Sequence, residues 1–433
     1  MGTVKMRAGR PHDSRRATPA ARTPALQIQD SERRARMTVS LRQAAGSLLV
    51  VGLEGTALTA LERAWLKLLR PAGIILFRRN IEDAKQTRAL LAEATQFCGP
   101  HCARFVDVEG GTVDRLRDAL APIAPVEAVA RAMRGVIPGP QMRGTSTPSS
   151  KDRSLGTPGT WGIHSSFARE HGELIARAVK AFGFNSPLAP VLDLGLPASQ
   201  KVLGTRCAGA TAADVVAYAR EFLAGLAAQG VAGCGKHFPG LGGGTLDSHL
   251  ETPKIRRTWQ RLWQEDLEPY RALRDQLPMM MVSHAAYPLT KDKKRPASVS
   301  SFWVGEVLRK RIGYRGIVLS DDLEMGGVAN FMPMGGAAVE AVRVGSDLLL
   351  ICHHAEPILN VYEALIAEGE RSAAFGRLLQ ARARESERKR ARLFRAEMPA
   401  ALSKRQFEAL RMRILRFGES LAQAGREHGN VGE

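Results

Sequence analysis

Asp247 and His249 stand two residues apart, just beyond the run Lys236-His237-Phe-Pro-Gly-Leu-Gly-Gly-Gly. In an extended backbone that spacing points both side chains the same way. An aspartate bonded to one imidazole nitrogen fixes the tautomer and makes the other nitrogen more basic. Gly240 and Gly242–Gly244 give the segment backbone freedom that residues with a β-carbon lack. A mobile loop bearing this pair is a candidate proton donor and acceptor; the alternative is a packed turn in which Asp247 caps a helix. Asp321 is a candidate nucleophile, because a carboxylate kept ionised and aimed can attack an electrophilic carbon. If its segment is extended, only one of Asp321 and Asp322 faces a pocket. Asp321 directly follows Ser320, and Asp322 is expected to open a helix over Leu323–Val328. Lys236, Arg115 and Arg206 supply donors for hydroxyls or for an anionic group.

These residues need elements that bring them together. Short apolar runs occur at Ser47–Gly52, Gly73–Phe77, Arg104–Asp107, Leu188–Asp193, Val231–His237, Met279–His284, Gly316–Ser320 and Asp347–Cys352. Stretches of helical period lie between most of them, including Ile81–Cys98, Phe167–Phe182, Thr211–Gln229 and Ala338–Gly345. Eight strands, each followed by helical sequence, predict a (β/α)8 barrel of the α/β class, although doubly wound sheets share the alternation. Barrel sites assemble where the strands finish. The unusual polar residues fall there: Asp107, Glu109 and Arg115 after the third strand, Asp193 after the fourth, Lys236 to His249 after the fifth, His284 after the sixth, and Ser320-Asp321-Asp322 after the seventh. Taken singly, Asp107 or Asp193 caps a helix, His284 is a satisfied core imidazole and Lys236 is a structural ion pair. Their convergence at five strand ends points instead to a site.

The chain has 433 residues, enough for such a barrel of about 250 residues with helices and tails. The expected division is a disordered basic segment over 1–42, a barrel domain over 43–360 and a helical Arg-rich extension over 361–433. Gly135–Gly159, rich in Gly, Pro, Ser and Thr, reads as a long excursion between the third and fourth strands. No run approaches about 18 apolar residues, so no transmembrane helix is expected. Lys and Arg number 62 against 43 Asp and Glu, a net charge of +19. Ten of those cations, against three acids, lie in residues 1–42, and another Arg-rich block spans Arg377–Arg395. The excess reads as solvated ends rather than a nucleic-acid surface. Five scattered cysteines favour a reducing compartment. Cys98 and Cys102 lack the second ligand pair that a zinc site needs. The N-terminus lacks a secretory pattern, Met37 is a possible translation start, and the cytoplasm is the expected location.

The strings Gly73-Ile-Ile-Leu-Phe-Arg-Arg-Asn80, Asp107-x-Glu-Gly-Gly-x-Val-x-Arg115, Ala189-Pro-Val-Leu-Asp193, Lys236-His-Phe-Pro-Gly…Asp247-Ser-His249-x-Glu-Thr-Pro253, Pro296-Ala-Ser298 and Gly316-Ile-Val-Leu-Ser-Asp-Asp-Leu-Glu-Met325 occur in this order. They resemble glycoside hydrolase family 3, in particular its single-domain bacterial β-N-acetylglucosaminidases linked to peptidoglycan recycling. The resemblance covers roughly residues 45–355. It implies a TIM-type barrel and a retaining mechanism without a cofactor or metal, acting on a small carbohydrate. Asp321 would be the nucleophile, His249 the general acid/base and Asp247 its orienting partner. Sugar-contacting roles would fall to Asp107, Arg115, Arg206, Lys236 and His237. Two-domain relatives take their acid from an appended domain; the chain after the eighth strand is too short for one, so the loop after the fifth strand would supply it.

Leu241 stands where relatives usually carry histidine, Val108 and Thr112 replace commoner polar residues, and residues 135–159 are longer than usual. Three alternatives stay open at this point. Phosphate in place of water would make the enzyme a β-N-acetylglucosaminide phosphorylase. His237, Asp247, His249 and His284 as ligands would make a metal-dependent hydrolase. A catalytically inert sugar-binding barrel is the third.

Overall fold

The computed structural model describes residues 1–3, 39–99, 101–134, 166–244, 252–395 and 397–429, with 425–429 described by backbone alone. Gly135–Gly159, almost all of the basic N-terminal segment, and the Asp247/His249 pair lie outside the described residues.

Eight parallel strands form one sheet: β1 (Leu49–Gly52), β2 (Gly73–Leu76), β3 (Ala103–Val106), β4 (Ser186–Pro187), β5 (Cys234–Phe238), β6 (Met279–Val282), β7 (Ile317–Asp322) and β8 (Leu348–Ile351). β1 pairs with both β2 and β8, and every other neighbour follows in chain order. Between β4 and β5 the barrel closes through single contacts. The Cys234 N–H donates to the Ala189 carbonyl at 2.7 Å, that of Leu192 to the Lys236 carbonyl at 2.6 Å, and that of Lys236 to the Pro190 carbonyl at 3.1 Å. This is the predicted (β/α)8 barrel, nearly closed, with helices outside.

Strands buried on both faces carry unbroken apolar runs instead of alternation, which is why the runs were readable. Two expectations are corrected. The fourth strand was expected over Leu188–Asp193, but its ladder with β3 is formed by Ser186 and Pro187. Beyond it only Val191 makes a bridge, to Lys236, because Pro190 has no N–H to continue a ladder. Asp322 does not open a helix: β7 runs through it and the next helix starts at Gly326.

The barrel interior is filled by Val50, Ile75, Phe105, Leu188, Met279, Met281, Ile317, Leu319, Leu348 and Leu350. Phe394, just past the helix Ala373–Leu393, belongs to the same cluster and meets Phe105 edge-on at 5.9 Å. The helix is tied down by charge: its Lys389 reaches Asp347 at 2.9 Å, where Arg309 also binds, and its Arg390 donates to the His101 carbonyl at 3.1 Å. The division expected at residue 360 lies inside the helix Ala355–Arg371. No helix among the described residues is long and apolar enough to cross a membrane.

Candidate active site

At the strand ends lies a cavity of about 490 Å³. Asp107, Arg115, Arg206, Lys236, His237 and Asp321 all line it. The structure therefore brings together every predicted site residue that it describes.

One wall is a network of buried charge. Lys236 Nζ lies 2.8 Å from Asp107 Oδ1 and 2.6 Å from Glu109 Oε1. Arg206 grips Glu109 with two parallel donors, Nε to Oε2 at 2.8 Å and Nη2 to Oε1 at 2.9 Å. Burial pushes the Glu109 carboxyl up, but Arg206 and Lys236 outweigh burial and hold it well below the usual carboxylate range. Burial likewise disfavours the Lys236 ammonium, yet Asp107 and Glu109 raise it above its ordinary value. Both shifts favour the charged forms of Glu109 and Lys236. Its loop geometry follows from the two glycines after Glu109. Gly110 and Gly111 have φ of 94° and 63°, and a Cβ on Gly110 would stand 2.1 Å from the Ala124 carbonyl oxygen.

His237 is fixed from behind. Its Nδ1 is 2.6 Å from Asp193 Oδ2, and Arg206 Nη2 approaches its Nε2 at 3.4 Å. Arg206 can only donate there, so Nε2 accepts and Nδ1–H donates to Asp193. Asp193 Oδ1 also takes the Leu241 N–H at 2.7 Å, seating the start of the glycine run. Leu241 presents its side chain to the cavity. Gly242 is required by closeness rather than by torsion, since a Cβ there would meet the Leu194 carbonyl oxygen at 2.5 Å.

The opposite wall carries Asp321. Its Oδ1 accepts the Asp322 N–H at 2.9 Å. Against expectation, Asp322 lines the cavity as well. Its carboxylate takes the Glu324 N–H at 3.1 Å, and a bulge in β7, where Leu319 pairs with Leu348 but Asp322 with Leu350, breaks the alternation that would have turned it away. Asp322 Oδ2 also lies 3.3 Å from His353 Nε2. Arg79 approaches the other His353 nitrogen at 3.1 Å, so Nε2 carries the proton. Hydrogen bonding to Asp322 favours protonated His353 and raises its pKa. Phe77 stacks on His353 at 5.3 Å and lies beneath the Arg79 guanidinium at 4.9 Å, giving a flat apolar face beside donors. The buried Nε of Arg115 has no hydrogen-bond partner among the described residues.

His284 is fully buried: Ser298 Oγ lies 2.7 Å from Nδ1, and Nε2 donates to the Asp322 carbonyl at 2.9 Å. Both nitrogens are committed, so it is a satisfied core imidazole and is not free to ligate a metal. All five cysteines are buried free thiols.

Sequence reasoning placed Glu109, Asp193 and Asp322 at the strand ends without giving them a role in the site, and passed over His353. Glu109 had a usable signal, being two residues from Asp107 at a strand end. His353, in a His-His pair after the last strand, had none.

A carboxylate facing fixed cations and an imidazole across a pocket of this size suits cleavage of a polar, hydroxyl-rich substrate. The model for the glycosyl hydrolase family 3 N-terminal domain matches residues 40–384. The chain belongs to that family. It is similar to the β-hexosaminidase of Alkalilimnicola ehrlichii, with 37% identity over 311 residues covering 72% of this chain and 82% of the relative. The β-hexosaminidase of Haemophilus influenzae is 32% identical, covering 74% and 83%. Among solved structures, a family 3 β-N-acetylglucosaminidase from Paenibacillus sp. superposes with a TM-score of 0.72 at 28% identity, over 88% of this chain and 69% of that one. NagZ from Neisseria gonorrhoeae, in complex with N-trifluoroacetyl-D-glucosamine, gives 0.65 at 25% identity, over 88% and 98%. As a member of family 3 this chain is a glycosidase, and its relatives match it along most of their length.

Proposed function

We propose that this glycosidase removes terminal non-reducing β-linked N-acetylglucosamine from peptidoglycan fragments, with retention of configuration. Asp321 attacks the anomeric carbon and forms a glycosyl ester as the leaving oxygen departs. His249, oriented by Asp247, donates the proton to that oxygen and then takes one from the incoming water. Retention needs this pairing of a nucleophile on one face with an acid on the other. Asp107, Lys236, Arg206, His237 and Arg115 hold the sugar hydroxyls. The observation that carries this reading is the shared cavity in which Asp321 faces the Asp107–Lys236–Glu109–Arg206–His237 array. The relatives' named activities support the choice of sugar. Five free thiols support a reducing cytoplasm as the place of action.

The direct test is a chromogenic 4-nitrophenyl N-acetyl-β-glucosaminide. The chain should release nitrophenol and free N-acetylglucosamine, first as the β-anomer, at a rate independent of phosphate. Sugar 1-phosphate formed only when phosphate is present would establish the phosphorylase, and no release from any N-acetylhexosaminide would reject the reading.

A further inference from the structure

Asp247 and His249 stand in the segment 245–251, outside the described residues, but both of its roots are described. The chain leaves β5 along residues 240–244 and returns along residues 252–257. The returning leg is fastened to the barrel. The Ile255 N–H donates to the Ala286 carbonyl and the Ala286 N–H to the Pro253 carbonyl, both at 2.8 Å. Thr252 Oγ1 donates to the Gly327 carbonyl at 2.6 Å. The outgoing leg lies directly on the returning one. A Cβ on Gly243 would stand 2.8 Å from Arg257 Cδ, and one on Gly244 would stand 2.8 Å from Ile255 Cδ1. A Cβ on Gly240 would stand 3.1 Å from Asp266 Cβ.

Arg257 and Asp266, the two side chains on which the outgoing leg leans, are bonded to each other. Arg257 Nε donates to Asp266 Oδ2 at 2.6 Å, and its Nη2 bonds the Glu265 carboxylate. Asp266 ends the helical turn Leu262–Asp266, and its side chain is 1% exposed against 12% for Arg257. That turn is anchored in its own right, because Tyr270 meets Phe238 of β5 edge-on at 5.3 Å. Burial pushes the Asp266 carboxyl up to about 6 against the pull of Arg257. Desolvation on this scale offsets much of the attraction, so net stability is a weak reason for the pair. What it supplies is a fixed position under both roots of the segment.

We propose that Arg257 and Asp266 form a clasp that positions the general acid. They set where the segment 245–251 leaves and rejoins the barrel, and through it the reach of His249 to the leaving oxygen. The inference rests on His249 serving as the acid and deepens that reading. Neither residue lines the cavity, so the clasp acts through His249 and not on the sugar. An acid counts in proportion to the leaving group's need of a proton. A 2,4-dinitrophenolate departs without one, whereas a 4-methoxyphenolate needs it. Loss of the clasp should therefore slow the second and spare the first.

The test uses the full chain with the 2,4-dinitrophenyl and 4-methoxyphenyl N-acetyl-β-glucosaminides. The variant R257M/D266N removes both charges and so leaves neither one buried alone. Its kcat/KM, which reports glycosylation, should fall by about 30-fold on the methoxyphenyl glycoside and by less than about threefold on the dinitrophenyl one. Azide, which needs no base, should restore kcat on the dinitrophenyl glycoside and yield the β-glycosyl azide. His249→Ala should show the same split more steeply, and adding R257M/D266N to it should cost nothing more. Equal losses on the two glycosides, no loss on either, or losses that multiply with those of His249→Ala would overturn the clasp and leave the glycosidase reading intact. No split in His249→Ala itself would overturn the acid assignment and the clasp together. If R257M/D266N does not fold, R257K takes its place; it keeps a cation over Asp266 without the planar fork, and a split of about three- to fivefold is expected. The absence of that split would overturn the clasp.

Discussion

On the β3–β5 side of the cavity, Lys236 lies within 2.8 Å of two carboxylates and Arg206 takes both oxygens of Glu109. On the β7 side, the Asp321 carboxylate accepts one hydrogen bond among the described residues, from the N–H of the next residue. The first wall is satisfied before any substrate arrives, and its side chains are held by one another in low-dielectric surroundings. A group held in this way orients a ligand without reorganising. The second wall leaves its carboxylate oxygens largely free of donors among the described residues, so their lone pairs stay available for attack. Binding is thus built from mutual neutralisation and reactivity from its absence.

The contrast breaks first at Asp321. Asp321→Ala should cut kcat by about 10⁴-fold or more while leaving the denaturation midpoint within about 1 kcal/mol of wild type, because no buried partner loses its charge. Unfolding curves together with turnover of the nitrophenyl glycoside check both halves. Lys236→Met should do the opposite. It leaves Asp107 without its cation beside a Glu109 that Arg206 still holds, so stability should fall by about 3 kcal/mol, with activity falling through kcat/KM. A Lys236→Met chain as stable as wild type would show that the wall is not held by its charges.

Support behind the wall has a pH signature. His171 packs against the Gly110 turn and bonds Tyr218 at 2.9 Å. Burial pushes its pKa down from 6.5 to about 3. The unfolded chain therefore binds a proton that the folded chain refuses. Stability from this residue is complete above pH 6.5 and falls below it by as much as about 1.4 kcal/mol per pH unit, until the pH nears 3. His171→Leu should flatten that part of the stability–pH curve, and an unchanged slope would contradict the assignment.

The smallest effect lies on the open wall. Hydrogen bonding to Asp322 raises the His353 pKa above its ordinary value, so the NMR midpoint of the His353 ring should lie above 6.5 and drop in Asp322→Asn. The stabilising contribution of this pair is complete below pH 6.5 and is lost as pH rises through the raised midpoint. A midpoint unmoved by the substitution would show that the two groups do not interact.

Much of the fold was legible because parallel barrel strands are apolar on both faces and stand out as short runs. β4 was misplaced because Pro187 and Pro190 interrupt the donors by which a ladder is recognised, leaving Leu188–Leu192 bonded one contact at a time. In the site, residues at strand ends were legible where their chemistry is unusual for a helix start, as with Lys236 and Asp321. Glu109 and Asp193 were underweighted because their work is to hold other side chains, a role that depends on distances across the barrel. Asp322 was misread because a bulge in β7 breaks the strand alternation by which its direction was judged.

The most direct measurement is covalent trapping with a 2-fluoro- or 5-fluoro-substituted glycosyl inhibitor, followed by mass spectrometry of the digested protein. The peptide containing Asp321 should gain the mass of one glycosyl group, and Asp321→Ala should gain none. A label on any other carboxylate, Asp322 included, would contradict the assignment of the open wall as the reactive one.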